Sequence, residues 1–116
     1  MSVVATVLVA LVALIHVYIV VLEMVLWTTP RGRAAFGLEE QFAIDTRALA
    51  ANQGLYNGFL AAGLAYGLLR DDVEIQALFL VFVLVAGLFG AATASRRILV
   101  VQALPAALAL GALALA

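Results

Sequence analysis

The sequence predicts an all-α integral membrane protein, a bundle of four transmembrane helices with both termini on the outer side of the membrane. The composition is the first reason, because 67% of the 116 residues are hydrophobic and the mean hydropathy is +1.21, well above a soluble domain. The second is that the apolar residues form four segments, each long enough to cross about 30 Å of hydrocarbon. Backbone groups must be paired in lipid, so all four are predicted to be helices. We expect one transmembrane domain over residues 1–116.

The first segment, residues 3–27, is apolar but contains His16 and Glu23. They are seven residues apart, close to two helical turns, so both are predicted to lie on nearly the same face. Ionisable groups inside a membrane helix are costly and usually mark a functional site. The segment has no basic residues before it and is longer than the apolar region of a signal peptide, so we expect it to be retained.

Residues 28–46 are predicted to be an interfacial link between the first two spans. Pro30 after Thr29 is typical of the start of a short helix, and Gly37 of its end. Beyond Gly37, apolar residues recur at helical spacing, so a second short helix is expected to lead into the second span.

The other three spans are predicted at residues 47–69, 73–94 and 98–116. The polar turns between them are short, so these helices are expected to be antiparallel neighbours. Five arginines flank the first and third links, and one lies in the second: Arg31, Arg33, Arg47, Arg96 and Arg97 against Arg70. The excess of arginine places the first and third links in the cytoplasm and both termini outside.

The second span carries Asn52, Gln53, Tyr56 and Asn57, which is unusual for a membrane helix because each polar side chain needs hydrogen-bond partners. If the midpoints of the first two spans lie at the same depth, a rise of about 1.5 Å per residue places His16 opposite Asn57. It places Glu23 opposite Asn52 and Gln53. This predicts a polar crevice open to the cytoplasm. The amide side chains could equally form hydrogen bonds between helices that only hold the bundle together. The predicted substrate-binding or coupling residues are His16, Glu23, Asn52, Gln53, Tyr56, Asn57 and Gln102.

Several classes of function find no support in the sequence. No phosphate-binding loop, nucleophile elbow or zinc-protease motif is present, so no catalytic residue is assigned. The chain has no cysteine, and one histidine with one glutamate is too few for a zinc site, so no metal is expected, and the sequence identifies no cofactor. A net charge of −1 offers no surface for nucleic acid. Membrane lipids are the expected partners. A small-residue ridge (Ala103, Ala107 and Gly111) predicts close helix packing, either inside the bundle or, as the alternative, in a homo-oligomer.

Two strings, LEMVLWTTPRGRAAFG at residues 22–37 and LAANQGLYNGFLAAG at residues 49–63, resemble a family of small bacterial membrane proteins known as domain of unknown function 1304. The resemblance covers essentially the whole chain. It implies four transmembrane helices in the bacterial cytoplasmic (inner) membrane, as a multi-pass protein. The family pattern has a histidine and a glutamate that fall on His16 and Glu23, and an NQGxYN string carried here by residues 52–57. The resemblance implies no particular activity.

The leading hypothesis is a protein that binds or transports a small solute through the polar crevice, with Glu23 as a protonatable coupling group. The alternative is a membrane enzyme or redox accessory that binds a lipid or quinone, with His16 and Glu23 as a general base and its partner. The second alternative is a structural or assembly subunit. The sequence favours a role that is not enzymatic.

Overall fold

The computed structural model describes residues 2–116, and every regular element in that range is helical, which confirms the all-α prediction. The elements follow one another with short connections. They are α1 (Val3–Met24), α2 (Pro30–Phe36), α3 (Glu40–Asp45), α4 (Arg47–Leu69), α5 (Val73–Thr93), a π-helical turn (Leu99–Ala103) and α6 (Leu104–Leu115).

The chain divides into two compact units. The terminal unit contains residues 2–15 and 60–116, and the central unit contains residues 16–59. Helices α1 and α4 each contribute residues to both units. All of the predicted site residues except Gln102 belong to the central unit.

The terminal unit has an apolar core of alanine, valine and leucine side chains. Two glutamines add hydrogen bonds between helices: Gln76 Nε2 donates to the carbonyl of Gly67, and Gln102 Nε2 donates to the carbonyl of Val83, both at 3.0 Å. Side-chain hydrogen bonds between membrane helices contribute about 0.6 kcal/mol on average and up to about 1.7 kcal/mol. The core residues are Ala5, Val9, Val12, Leu64, Leu80, Val83, Ala106, Ala109 and Leu113.

The last helical segment begins with a π-helical turn because a proline follows it. The N–H of Leu104 donates to the carbonyl of Leu99, five residues back. Pro105 has no N–H to donate, and its ring would collide with the carbonyl four residues earlier, which a wider turn relieves. Of the small-residue ridge predicted on this helix, Ala103 is buried, whereas Ala107 and Gly111 are exposed.

In the central unit, α2 forms as its sequence predicts. The Thr29 hydroxyl oxygen accepts from the backbone N–H of Gly32 at 3.2 Å, Pro30 occupies the first turn, and Gly37 ends the helix at φ 65°, a left-handed conformation that glycine adopts freely. Gly32 is buried against the preceding chain, where a Cβ would overlap the backbone carbonyl of Leu26.

Helix α3 leads almost directly into α4, as expected for the lead-in to the second span. Only Thr46 separates the two helices, and its carbonyl accepts from the N–H of Ala50 at 2.9 Å. Phe42 on α3 and Leu49 on α4 are exposed, so this stretch presents apolar side chains at its surface. Helix α1 ends at Met24, three residues before the predicted end of the first span.

Among the described residues, α1 and α5 are the helices long and apolar enough to cross a membrane. Both present apolar surface, with Leu14 65% exposed on α1 and Phe89 70% exposed on α5. Residues 99–115 form a shorter apolar helix. Helix α4 has the length of a span but is more polar, because it carries Arg47 and three side-chain amides.

Candidate functional site

His16 and Glu23 both lie on the buried face of α1, which confirms their predicted shared face. His16 is 0% exposed and Glu23 is 8% exposed, whereas Tyr18, between them in sequence, is 46% exposed. Burial of an ionisable side chain requires compensating hydrogen bonds. The partners of Glu23 therefore decide what this site can do.

Glu23 is held by an amide from the neighbouring helix. Asn57 Nδ2 donates to Glu23 Oε1 at 2.5 Å. Helix α4 reaches α1 through glycine at this point, because a Cβ on Gly54 would lie 3.1 Å from the Cβ of Glu23. Small residues let helix backbones approach closely enough for such short side-chain contacts.

The register between α1 and α4 differs from the one predicted by counting depth. That count placed Asn57 opposite His16, and Asn52 with Gln53 opposite Glu23, whereas Asn57 contacts Glu23. The count assumed that the two span midpoints lie at the same depth. In the structure Gly54 lies against Met24, the last residue of α1, so the first two turns of α4 extend beyond the end of α1.

These extra turns of α4 help to form an open groove of about 310 Å³ within the central unit. One carboxylate, two aromatic rings, two neutral polar side chains and two aliphatic side chains line it. No basic side chain is among the described residues that do so. The lining residues are Glu23, Trp27, Phe42, Thr46, Leu49, Ala50 and Gln53.

The aromatic wall of the groove is fixed by hydrogen bonds and ring packing. Trp27 Nε1 donates to Thr46 Oγ1 at 3.0 Å, and the Thr46 hydroxyl donates to the carbonyl of Phe42 at 2.7 Å. The indole also packs against Phe36, with ring centroids 5.0 Å apart. A wall that is held before a ligand arrives reduces the entropy lost on binding.

The structure brings together only part of the predicted set of site residues. Glu23 and Gln53 line the groove, and Asn57 holds Glu23. His16 is fully buried in α1 and does not line it. The remaining predicted residues have other surroundings: Asn52 is exposed, Tyr56 is exposed with its ring edge-on to Phe59, and Gln102 belongs to the terminal unit and bonds the Val83 carbonyl.

Sequence reasoning did not assign Trp27, Phe42 and Thr46 to the site. The available signal was Thr46, a polar residue between α3 and α4 that accepts the hydrogen bond from Trp27. The side chains that the link carries then become the wall of the groove.

The side chains that line the groove can bind a polar or a cationic group through hydrogen bonds and charge. Within the described part of the chain, no three histidine, aspartate or glutamate side chains are close enough to hold a metal ion. A carboxylate paired with a neutral amide can hold a proton or a cationic group, and the hydroxyl and amide of Thr46 and Gln53 can hydrogen-bond a polar ligand.

Comparison with known proteins identifies the relatives of the chain. The model of a family described as "Protein of unknown function (DUF1304)" matches residues 10–114. The chain is similar to the uncharacterized protein YpaA of Lactococcus lactis subsp. lactis (strain IL1403), with 32% identity over 114 residues that cover 95% of this chain and 96% of that protein. No solved structure matches the chain.

Proposed function

The chain belongs to the DUF1304 family, and we propose that it is a four-span protein of the bacterial cytoplasmic (inner) membrane that binds a small polar solute in the central-unit groove and transports it. Glu23 is the coupling group in this proposal, because it exchanges a proton or a cationic group as the solute binds and leaves. The hydrogen bond from Asn57 to Glu23, beside an open groove, is the observation that carries the proposal.

Helix length and exposed surface support the placement in a membrane. Helices α1 and α5 are long and apolar enough to span, and their outward faces are rich in valine, leucine and phenylalanine. Helix α4, with 23 residues, is about 34 Å long at 1.5 Å per residue, which is enough for a third span. Residues 99–115 form the fourth, and the excess of arginine at the first and third links orients all four.

The neutral partner of Glu23 supports a role in coupling. A structural carboxylate in a bundle is usually neutralised by arginine or lysine. Here the donor is the Asn57 amide, whereas Arg31, the arginine that follows α1, bonds the hydroxyl of Tyr18 at 3.4 Å. An amide stabilises a carboxylate without neutralising its charge, which leaves that task to a proton or to a cationic ligand.

The test is solute-driven current in proteoliposomes on a solid support, with amines, amino acids and sugars applied at pH 6 and pH 8. At least one solute is expected to give a current that depends on pH in the unchanged protein. Glu23→Gln, which keeps the size and the acceptor oxygen, is expected to abolish that pH dependence. Glu74→Gln is the matched control, because Glu74 is exposed at the start of α5 and belongs to the terminal unit.

Two results would overturn the proposal: no current from any solute, or an unchanged pH dependence in Glu23→Gln. If His16→Leu with Glu23→Leu also left folding and thermal stability intact, a structural role for the pair would explain the data better, because apolar isosteres often replace buried polar pairs without loss. The full burial of His16 does not favour its use as a general base, since a substrate must reach such a group.

A further inference from the structure

We propose that the ligand of the groove is a small organic cation, an ammonium group that carries an apolar body. This inference rests on the proposed function and adds the chemical class of the ligand. Three features of the groove support it: the sign of its charge, its aromatic wall and its size.

The charge of the groove selects for a cation. Glu23 is its one ionisable side chain among the described lining residues, and a neutral amide holds that carboxylate. An anionic ligand would meet an unneutralised carboxylate, whereas a cation would form the missing ion pair. At about 4 Å in partly desolvated surroundings, attraction between opposite charges is large compared with a neutral hydrogen bond.

The aromatic wall favours an organic cation over a hydrated metal ion. The indole of Trp27 is the ring with the strongest attraction for a cation, and the phenyl ring of Phe42 adds a second. The bond from Trp27 Nε1 to Thr46 uses the polar edge of the indole and fixes the ring in place. Leu49 and Ala50 complete an apolar surface that suits methyl and methylene groups rather than water.

The open groove has a volume of about 310 Å³, which accommodates a small ligand. It lies at the lower end of the range of about 300–1,000 Å³ for small-molecule sites. An ammonium with a few alkyl groups is of this size.

The chain provides its own reporter for the test, because Trp27 is its only tryptophan and lines the groove. The protein in a maltoside detergent, free of choline headgroups, is titrated with three probes of nearly the same shape. They are choline, its neutral carbon isostere 3,3-dimethylbutan-1-ol, and the anion 3,3-dimethylbutanoate. The emission of Trp27 is expected to respond to choline at a concentration at least tenfold lower than to the neutral isostere, and not to respond to the anion.

Two variants identify the groups responsible. Glu23→Gln is expected to reduce the preference for choline over the isostere to twofold or less, while its response to the isostere shows that the groove still forms. Phe42→Leu is expected to weaken choline binding about two- to fivefold, the effect of one cation–π contact at a partly exposed site. The control is Phe89→Leu, which lies in the terminal unit, is 70% exposed, and should leave the titration unchanged.

A lipid headgroup could supply the same ammonium group as a free amine. Titrations in nanodiscs of phosphatidylglycerol, with and without phosphatidylethanolamine, separate the two sources. Competition by phosphatidylethanolamine against choline supports a lipid ammonium as the occupant, and equal choline affinity in both nanodiscs supports a free amine.

Two outcomes overturn the inference in different ways. Equal responses to choline and to its neutral isostere exclude the cation preference but leave the proposed solute groove in place. A lack of response to all three probes counts against both the cation and the groove as a binding site.

Discussion

The hydrogen bond between Glu23 and Asn57 is expected to contribute about 1–2 kcal/mol to the free energy of unfolding, measured as the coupling energy of a double-mutant cycle. Its length is 2.5 Å, it is partly buried, and its acceptor is a carboxylate. Hydrogen bonds to charged groups are worth about 1.5–3 kcal/mol in soluble proteins, whereas those between membrane helices average about 0.6 kcal/mol and reach about 1.7. The expected value lies where these two ranges meet.

The cycle uses Asn57→Leu, Glu23→Met and the double variant, because each replacement is apolar and similar in size. Asn57→Leu alone leaves a buried carboxylate without its donor and should be the most destabilising of the three. The double variant removes both polar groups and should recover much of that loss. Unfolding by SDS in mixed micelles, followed by helical circular dichroism and tryptophan emission, gives the four free energies.

An exposed bond of the same chemical type provides the control. Gln41 Nε2 donates to Asp45 Oδ1 at 2.8 Å on the surface of α3, and its cycle should give only about 0.2–0.5 kcal/mol. If the energies for Glu23 and Asn57 added within about 0.5 kcal/mol, the bond would not be formed in the protein, and the register between α1 and α4 would be wrong.

Three further changes test the packing of the chain by thermal unfolding. Gly32→Ala should destabilise the protein by several kcal/mol, because its Cβ would overlap a backbone carbonyl. Gly111→Ala meets nothing within 4 Å among residues 2–116 and should be neutral or stabilising by about 0.5–1 kcal/mol. Equal effects of the two changes would contradict the close approach at Gly32. Thr46→Val should cost about 1–3 kcal/mol and shift the tryptophan emission, because the indole N–H of Trp27 loses its acceptor. Thr93→Val removes only a bond within one helix and should cost less than about 0.5 kcal/mol. An unchanged emission in Thr46→Val would exclude the bond between Trp27 and Thr46. Gln76→Met should be neutral or stabilising for two reasons. It removes a buried side-chain oxygen that has no partner within the described part of the chain, and the Gly67 carbonyl that the amide bonds also accepts from a backbone N–H. A loss above about 2 kcal/mol would show that the amide is needed.

Local features of the structure follow directly from the sequence. The start and end of α2 are set by Thr29, Pro30 and Gly37, which act through their own backbone and side-chain groups. The shared buried face of His16 and Glu23 follows from helical periodicity alone. These features need no information about distant parts of the chain.

The register of α4 on α1 could not be predicted in this way. It depends on how closely Gly54 approaches Met24 and on the bond between Trp27 and Thr46, which joins residues 19 positions apart. An error of about five residues in the relative register, roughly 7 Å along a helix, was enough to exchange the partners of Glu23. Contacts between elements, rather than periodicity within one, determine such offsets.

Residue type also does not distinguish an amide that lines a groove from an amide that bonds a neighbouring helix. Gln53 lines the groove, whereas Gln102 bonds the backbone carbonyl of Val83 in the terminal unit. In the sequence both are glutamines within apolar segments. Only the position of a facing carbonyl reveals which of them is used for packing.

In the proposed function, the groove beside Glu23 is open to water, whereas the other exposed apolar surface of the protein lies in lipid. The chain contains no cysteine, so single cysteines can be introduced as probes at Gln53 and at Val85, which is 60% exposed on α5. The most direct measurement is labelling of Gln53→Cys and Val85→Cys by a membrane-impermeant maleimide in inside-out vesicles, where the cytoplasmic face is accessible. The account predicts rapid labelling at position 53 and none at position 85. An unlabelled cysteine at position 53, or equal labelling at both positions, would contradict it.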